Sequence, residues 1–121
     1  MIKRLVLVED NPVTHQIFQE ILFDWVVIPV FTAQKAETFL HEEQDFNGVV
    51  VMIDLSVIKE NGIEWITKIR AAYSDVPVII LSGTEDDAML KAIKETVVND
   101  CIIRPFYGEV LVNAVENAIE V

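Results

Sequence analysis

Short, unbroken apolar runs alternate along the chain with segments whose apolar residues recur every three or four positions. The clearest run is Val49–Ile53, which ends on Asp54. A continuous apolar run of this length is typical of a strand buried on both faces, as in a parallel sheet. Four similar runs begin at Leu5, Val26, Val76 and Cys101. The pattern predicts five strand–helix units, and strict alternation predicts an α/β fold with a doubly wound parallel sheet and helices on both faces.

The starts of several helices are also marked. Asn11 and Pro12 follow the first strand and are typical of an N-cap and a first helical turn. Thr32 is a candidate cap for the second helix, and Thr84 with Asp87 is a candidate capping box before the fourth. The residues expected on the five inner faces are Val13, Ile17, Ile21 and Leu22, then Ala36, Phe39 and Leu40, then Ile66, Ile69 and Tyr73, then Met89, Ile93 and Val97, and finally Phe106, Val110, Leu111, Ala114, Val115 and Ala118.

One proline bears on the order of the strands. Pro29 lies in the second apolar run and has no N–H to donate to a ladder, which places this strand at a sheet edge or a bulge. An edge position for the second strand fits the order 2-1-3-4-5, one of the common doubly wound orders. We therefore expect that order.

Composition narrows the class of protein. The 121 residues include 20 acidic and 9 basic side chains, so the net charge of −11 argues against direct binding to nucleic acid or to an anionic membrane surface. A single cysteine, Cys101, excludes an internal disulfide and suits the reducing cytoplasm. We see neither a signal-peptide pattern nor an apolar stretch near the roughly 20 residues of a membrane span. We expect one domain over residues 1–121, either as a whole protein or as part of a longer one.

Polar residues end four of the five predicted strands: Glu9-Asp10, Asp54, Ser82 and Arg104. Taken alone, each of these polar residues most simply marks the point at which a strand leaves the core. In a parallel sheet, however, all of these ends lie at one edge, which is where ligands bind in open α/β folds. If the first and third strands are neighbours, Glu9, Asp10 and Asp54 converge, and carboxylates within about 4–6 Å of one another need a positive partner. A divalent cation with oxygen ligands, most simply Mg²⁺, is the natural candidate.

The same residues carry a resemblance. The segments Leu-Val-Glu-Asp-Asn at 7–11, the buried run into Asp54 with Gly62 eight positions later, Ile-Leu-Ser-Gly at 80–83 and Arg-Pro-Phe at 104–106 occur in the order and spacing of a bacterial response regulator. The whole chain resembles the receiver domains of two-component signalling. The resemblance implies a flavodoxin-like fold and a cytoplasmic phosphorelay role. It also implies Mg²⁺-dependent transfer of a phosphoryl group to an aspartate from a histidine kinase or a His-containing phosphotransfer protein, followed by slow self-dephosphorylation.

The resemblance assigns roles position by position. It makes Asp54 the phosphoacceptor, Asp10 the direct Mg²⁺ ligand and Glu9 its acidic companion. The backbone carbonyl of Ser56 completes the implied metal site, and Ser82 corresponds to the hydroxyl that moves to hydrogen-bond the bound phosphoryl group. Such a protein catalyses its own phosphorylation without being a conventional enzyme. An aspartate carboxylate can act as the nucleophile, and phosphoryl transfer depends chiefly on positioning and charge neutralisation.

Three positions depart from the family pattern. Arg104 stands where a lysine is expected, and its longer, planar guanidinium either neutralises the acyl phosphate or pairs with Asp54 and hinders metal entry. Cys101 replaces the switch aromatic, and a small apolar role suits it better than a redox role. Val57-Ile58 replaces the usual Met-Pro pair. The family also implies a cis bond before Pro105.

Two other functions compete with phosphorylation. Arg104 and Cys101 also suit a pseudo-receiver, a binding module that signals without phosphate. A flavin-binding electron carrier is disfavoured, because the acidic segment Glu9-Asp10-Asn11-Pro12 repels a cofactor phosphate. The surface from the fourth to the fifth helix is the family's partner face, and a homodimer through it is an expectation to which four residues contribute: Met89, Lys91, Lys94 and Tyr107. The isolated histidine His15 is assigned an ordinary surface or core role.

Overall fold

The predicted alternation of strands and helices is confirmed in a computed structural model, which describes residues 1–58, 62–83, 88–95 and 99–119. The strands are β1 (Arg4–Val8), β2 (Val26–Val30), β3 (Val49–Asp54), β4 (Val78–Ser82) and β5 (Asp100–Ile103). The helices are α1 (Pro12–Ile21), α2 (Ala33–Glu42), α3 (Gly62–Ala72), α4 (Ala88–Lys94) and α5 (Gly108–Ile119), with one 3-10 turn at Leu55–Val57. The predicted capping pair Thr84 and Asp87, the residue Val97 and the side chain of Met89 lie outside the described residues.

The strands form one parallel sheet in the order β2-β1-β3-β4-β5, as predicted. Pro29 lies on the edge strand β2, where its missing N–H interrupts no ladder. In the centre, Val8 at the end of β1 pairs with Val30 on one side and with Ile53 on the other. Because β1 and β3 end level with each other, the residues that follow them meet at the same edge of the sheet.

The two faces of the sheet are covered by different helices. On β3, Val49, Val51 and Ile53 point into a core shared with α2, α3 and α4. The alternate residues Val50 and Met52 point into a second core shared with α1 and α5. Every residue of this strand up to Ile53 is at most 1% exposed. Since complete burial of an aliphatic side chain contributes about 1.5–3 kcal/mol, β3 is a rigid support for the residue at its end.

Helix α1 starts as predicted but buries a different face. Asn11 caps it by accepting a hydrogen bond from the backbone N–H of Val13. The predicted inner-face residues Val13 and Ile17 are 54% and 48% exposed, so that part of the prediction is wrong. Phe18 and His15 are buried in their place. The chain has apolar residues on more than one side of this helix, and the ring of Phe18 offers the sheet more apolar area than Val13 or Ile17 does.

The inner faces of the other helices are largely as predicted. One exception is Val110 at the start of α5, which is 42% exposed because it lies one position before the buried stripe. The confirmed buried residues on these helices are Ala36, Leu40, Ile66, Ile69, Ile93, Leu111, Ala114 and Val115. Within the described residues, no helix has the length and apolar character needed to cross a membrane.

The free edge of β2 is covered by the side chain of Gln19 from α1. Its amide oxygen accepts from the N–H of Val27 at 3.0 Å, and its amide nitrogen donates to the carbonyls of Trp25 and Leu22 at 2.8 and 3.1 Å. Together with Pro29, this arrangement removes backbone groups that could pair with another strand. Few backbone N–H groups at this edge of the sheet are therefore free to pair with another strand.

A glycine is required just before the central strand. Gly48 has φ +80°, and a β-carbon there would lie 2.4 Å from the carbonyl oxygen of Ile2. The carbonyl of Gly48 accepts from the N–H of Arg4, so the close approach is part of the start of the β1–β3 ladder. Only glycine combines this backbone angle with this contact.

Candidate functional site

Two acidic side chains meet where β1 and β3 leave the core. Glu9 directly follows β1 and Asp54 is the last residue of β3. They are 5% and 4% exposed. Their proximity follows from the parallel register, in which Val8 pairs with Ile53. Burial of two neighbouring carboxyl groups costs free energy unless hydrogen bonds or cations offset it, which makes this the unusual part of the sheet.

Both oxygens of Asp54 accept hydrogen bonds. Oδ1 accepts from the backbone N–H of Ser56 at 2.9 Å, in the 3-10 turn that follows the strand. Oδ2 accepts from Nη2 of Arg104 at 2.7 Å. Arg104 follows β5, and its backbone N–H donates to the carbonyl of Ser82, so the guanidinium reaches Asp54 from two strands away. The Arg104–Pro105 peptide bond is cis, as the family resemblance implies.

Within the described part of the chain, hydrogen bonds fix the backbone of Glu9, but they satisfy only one of the two oxygens of its side chain. Its Oε1 accepts from the N–H of Asn11 at 3.2 Å. Its Oε2 lies 3.8 Å from Nη2 of Arg104 and, among the described residues, is buried without a hydrogen-bond partner. Its carbonyl accepts from Nε2 of His15 at 2.7 Å. The site thus contains one buried carboxylate oxygen with no donor of its own.

The two carboxyl groups differ in their affinity for protons. Burial, and then the adjacent carboxyl group of Asp54, raise the pKa of Glu9 to about 7. Burial also acts to raise the pKa of Asp54, but the adjacent carboxyl group of Glu9 and the hydrogen bonds from Ser56 and Arg104 outweigh it and hold that pKa at about 2. A proton shared by the pair therefore belongs to Glu9. Asp54 is the ionised member, which is the state that a nucleophilic carboxylate requires.

The remaining predicted site residues surround this pair. Ser82 is the last residue of β4 and is 2% exposed, on the strand between Asp54 and Arg104. Ser56 lies in the turn after β3. Asp10 follows Glu9, but its side chain is exposed. Within the described residues, no three His, Cys, Asp or Glu side chains are grouped to hold a metal ion, so the structure brings together two of the three carboxylates expected to converge.

The donor atoms present suit a hard divalent cation. Asp54 and Glu9 offer carboxylate oxygens, and Oε2 of Glu9 is buried with its hydrogen-bonding capacity unused. Oxygen donors of this kind are those that Mg²⁺ binds. The guanidinium of Arg104 already contacts Asp54, however. A metal ion at these oxygens would therefore share them with a group that is always positively charged.

His15 has the core position that its ordinary role allowed, but its contact with the site could not be predicted from the sequence. Its ring is 7% exposed, packs on Phe31 with centroids 5.0 Å apart, and donates to the carbonyl of Glu9. It therefore fixes the backbone at the end of β1. Apolar periodicity gave no signal because histidine does not count as apolar. Only the contact with Glu9, six residues earlier in the chain, shows the role.

Cys101 is half-buried on β5 and packs against the core shared with α2, α3 and α4. Burial raises the pKa of its thiol, which makes the thiolate scarce. This agrees with a small apolar role.

Comparison with known families agrees with this arrangement. The profile of the response regulator receiver domain matches residues 5–116. The chain belongs to that family, the receiver domains of two-component signalling, and has its flavodoxin-like fold.

Particular relatives are similar over most of the chain. It is 29% identical over 116 residues to the sensory transduction protein BceR of Halalkalibacterium halodurans, covering 93% of this chain and 48% of that protein. It is 25% identical over 109 residues to the probable C4-dicarboxylate response regulator DctR of the same organism, covering 88% and 46%. The chain spans about half the length of these curated relatives.

Solved structures share the fold. A response regulator from Thermotoga maritima aligns over all of both chains with a TM-score of 0.84 and 23% identity. A CheY-like receiver domain from Methanospirillum hungatei aligns over 99% of this chain and 95% of that one, with a TM-score of 0.84 and 17% identity.

Proposed function

We propose that the chain accepts a phosphoryl group on Asp54 from a histidine kinase or a His-containing phosphotransfer protein. The observation that carries this proposal is the state of Asp54. It is a buried carboxylate at the end of the central strand, kept ionised beside a second carboxyl group and contacted by a cation. An ordinary structural ion pair has no need of a second buried carboxyl group such as that of Glu9 beside it.

In the proposed reaction an oxygen of Asp54 attacks the phosphorus of a phosphohistidine. The new O–P bond forms as the P–N bond breaks, and the imidazole leaves with the bonding electrons and takes up a proton from solvent. Arg104 transfers its N–H donors from the carboxylate to the phosphoryl oxygens, which limits the change in local charge. The hydroxyl of Ser82 lies on the adjoining strand end, where it can hydrogen-bond the bound phosphoryl group.

Mg²⁺ is the proposed cofactor. Glu9, Asp10, Asp54 and the backbone carbonyl of Ser56 are the residues that would hold it. When bound, the ion would offset the negative charge that gathers between Asp54 and the phosphoryl oxygens. Oε2 of Glu9, which is buried and accepts no hydrogen bond from the part of the chain that the structure describes, supports this assignment.

The finer parts of the function follow from the same proposal. We infer a single receiver domain over residues 1–121 that dephosphorylates itself slowly and works in the cytoplasm, where its kinase partner transfers phosphate. The output is a change at the face formed by α4, β5 and α5, and a homodimer through that face is part of the proposal. Lys91, Lys94 and Tyr107 are exposed there.

A second candidate is a pseudo-receiver that signals without phosphate. The contact between Arg104 and Asp54 favours it, because the phosphoacceptor oxygen is already engaged. Replacement of the switch aromatic by Cys101 favours it as well. The two candidates differ in one measurable respect, which is whether Asp54 becomes esterified.

Intact-mass measurement after incubation with acetyl phosphate and Mg²⁺ tests the proposal. We expect a gain of one phosphoryl group that is released by alkali, requires Mg²⁺ and is absent in Asp54→Asn. Glu43→Gln is the matched control, since it removes a carboxylate paired with an arginine at the other end of the sheet. An unlabelled wild-type chain that is fully folded by circular dichroism would instead establish the pseudo-receiver.

A further inference from the structure

Within the part of the chain that the structure describes, one cation serves two buried carboxyl groups at the candidate site. Nη2 of Arg104 lies 2.7 Å from Oδ2 of Asp54 and 3.8 Å from Oε2 of Glu9. Both carboxyl side chains are 6% exposed, whereas that of Arg104 is 36% exposed. The acidic pair is fixed in the interior, and the cation approaches it from the solvent side.

We propose that Arg104 is a built-in counter-ion that stabilises the metal-free site and competes with the divalent cation for Asp54. This inference rests on the proposed phosphoacceptor function, in which Asp54 would be one of the residues that hold the metal. It assigns Arg104 a regulatory role, because the strength of its contact sets the Mg²⁺ concentration at which the site becomes competent.

Competition follows from the shared oxygen atoms. A metal ion held by Asp54 and Glu9 would share their oxygens with the guanidinium, and like charges on the same carboxyl groups repel in a partly buried site. Release of Arg104 from Asp54 relieves the repulsion. The cost of that release is subtracted from the affinity for the metal, as for any binding that first requires a contact to open.

The geometry also shows how Arg104 can leave. Among the described residues, the hydrogen bond and ion pairs of its side chain are with Asp54 and Glu9, and all are made through Nη2. Its partial exposure leaves room for movement toward solvent. A guanidinium that moves outward remains close enough to donate to a phosphoryl group bound on Asp54, since it has five N–H donors in a planar array.

Arginine suits this role better than lysine. A guanidinium is more weakly hydrated than an ammonium group and pairs with carboxylates at lower desolvation cost. The metal-free pair is therefore tighter with Arg104 than it would be with a lysine. Compared with a chain that has lysine at this position, the metal-free chain is more stable, and a higher Mg²⁺ concentration is needed to occupy the site.

Calorimetric Mg²⁺ titration of the chain, with thermal unfolding in EDTA and in Mg²⁺, tests the inference. We expect Arg104→Gln to unfold at a lower temperature in EDTA, to bind Mg²⁺ about tenfold more tightly than wild type, and to gain more from saturating Mg²⁺. Arg104→Lys should have an intermediate affinity. Arg4→Gln is the matched control, because it breaks an arginine–carboxylate pair at the opposite end of the sheet and should leave the Mg²⁺ affinity unchanged.

The outcomes separate the inference from the function on which it rests. Equal or weaker Mg²⁺ binding by Arg104→Gln, with wild type still labelled by acetyl phosphate, overturns the counter-ion role alone. Absence of Mg²⁺ binding in wild type and in both Arg104 variants overturns the counter-ion role and the metal assignment together. If Arg104→Gln does not fold, Arg104→Lys decides: tighter binding than wild type supports the inference, and equal or weaker binding overturns it.

Discussion

The two ends of the sheet differ in how their charged side chains are paired. At the amino end, Lys3 donates to Asp24 at 2.7 Å and to Glu116 at 2.8 Å, and its ammonium lies 5.4 Å from the ring centroid of Trp25. The indole N–H of Trp25 also donates to Glu116, at 3.0 Å. Arg4, at the start of β1, pairs with Glu43 at 2.9 Å. Lys3 and Arg4 therefore have acceptors, and the three carboxylates that they contact have donors.

At the carboxyl end of the sheet, as far as the structure describes it, the buried carboxyl groups outnumber the cations that contact them. One guanidinium, that of Arg104, serves Asp54 and Glu9, and Oε2 of Glu9 is left without a donor among the described residues. Buried polar groups are nearly always satisfied, and among the described residues this oxygen is one of three buried side-chain atoms without a partner, together with Nδ1 of His15 and Nε of Arg70. The pairs of Lys3 and Arg4 join elements of the fold together, whereas the acidic pair at the carboxyl end is the place where we propose that a ligand binds. Substitutions at the two ends should therefore separate stability from function.

The largest effect on stability is expected at the amino end. Trp25 is 2% exposed and belongs to the core beneath α1 and α5. Trp25→Ala should lower the free energy of unfolding by about 3–5 kcal/mol, since it leaves a cavity and removes the donor to Glu116. Urea denaturation followed by circular dichroism measures this loss. Trp25→Phe, which keeps most of the packing, is the control and should lose about 1–2 kcal/mol. A loss below that range in Trp25→Ala would contradict the structural role of this end.

A substitution at the carboxyl end should act in the opposite direction. Glu9→Gln retains an acceptor for the N–H of Asn11 and supplies an amide donor to Asp54, so at pH 8 in EDTA it should raise the free energy of unfolding by about 1 kcal/mol. The ordinary pKa of 4.5 is raised to about 7 in the folded chain. Folded chains therefore bind more protons than unfolded chains between these values, and wild-type stability should fall as the pH rises through that window.

The free energy of unfolding of Glu9→Gln should not fall as the pH rises through this window. Glu43→Gln is its counterpart at the amino end and should not be stabilised, because the hydrogen bond from Arg4 lowers the pKa of Glu43. Denaturant midpoints at a series of pH values measure both variants. A loss of stability in Glu9→Gln at pH 8 would remove the distinction between the two ends.

The smallest effect is expected from Glu116→Gln. Hydrogen bonds from Lys3 and Trp25 lower the pKa of Glu116, so its contribution is present above its ordinary pKa and is lost as the pH falls through the folded pKa. Because the side chain of Glu116 is 35% exposed and its partner Lys3 is also open to solvent, the loss at pH 7 should stay below about 1 kcal/mol and shrink as salt is added. Thermal midpoints at low and high NaCl measure it. A salt-independent loss would indicate packing rather than charge.

Local pattern was a good guide to most of the fold. The run into Asp54, the cap at Asn11 and the edge position of Pro29 are each properties of a few consecutive residues, and each is as predicted. The inner face of α1 was not, since Val13 and Ile17 are exposed. Periodicity detects that a helix has apolar residues, but when these lie on more than one side it cannot choose the side that fits the sheet.

The sequence by itself determined where the strands end and which chemical groups stand there, because strand length and polarity are local properties. Tertiary structure alone decided which of those groups touch. It brought Arg104 onto Asp54 across 50 residues, joined Glu9 to the pair, left Asp10 exposed and placed His15 under the backbone of Glu9. The sequence allowed Arg104 to pair either with the carboxylate or with a phosphoryl group. A contact between distant residues depends on strand order and register, and no local pattern encodes the distance that results.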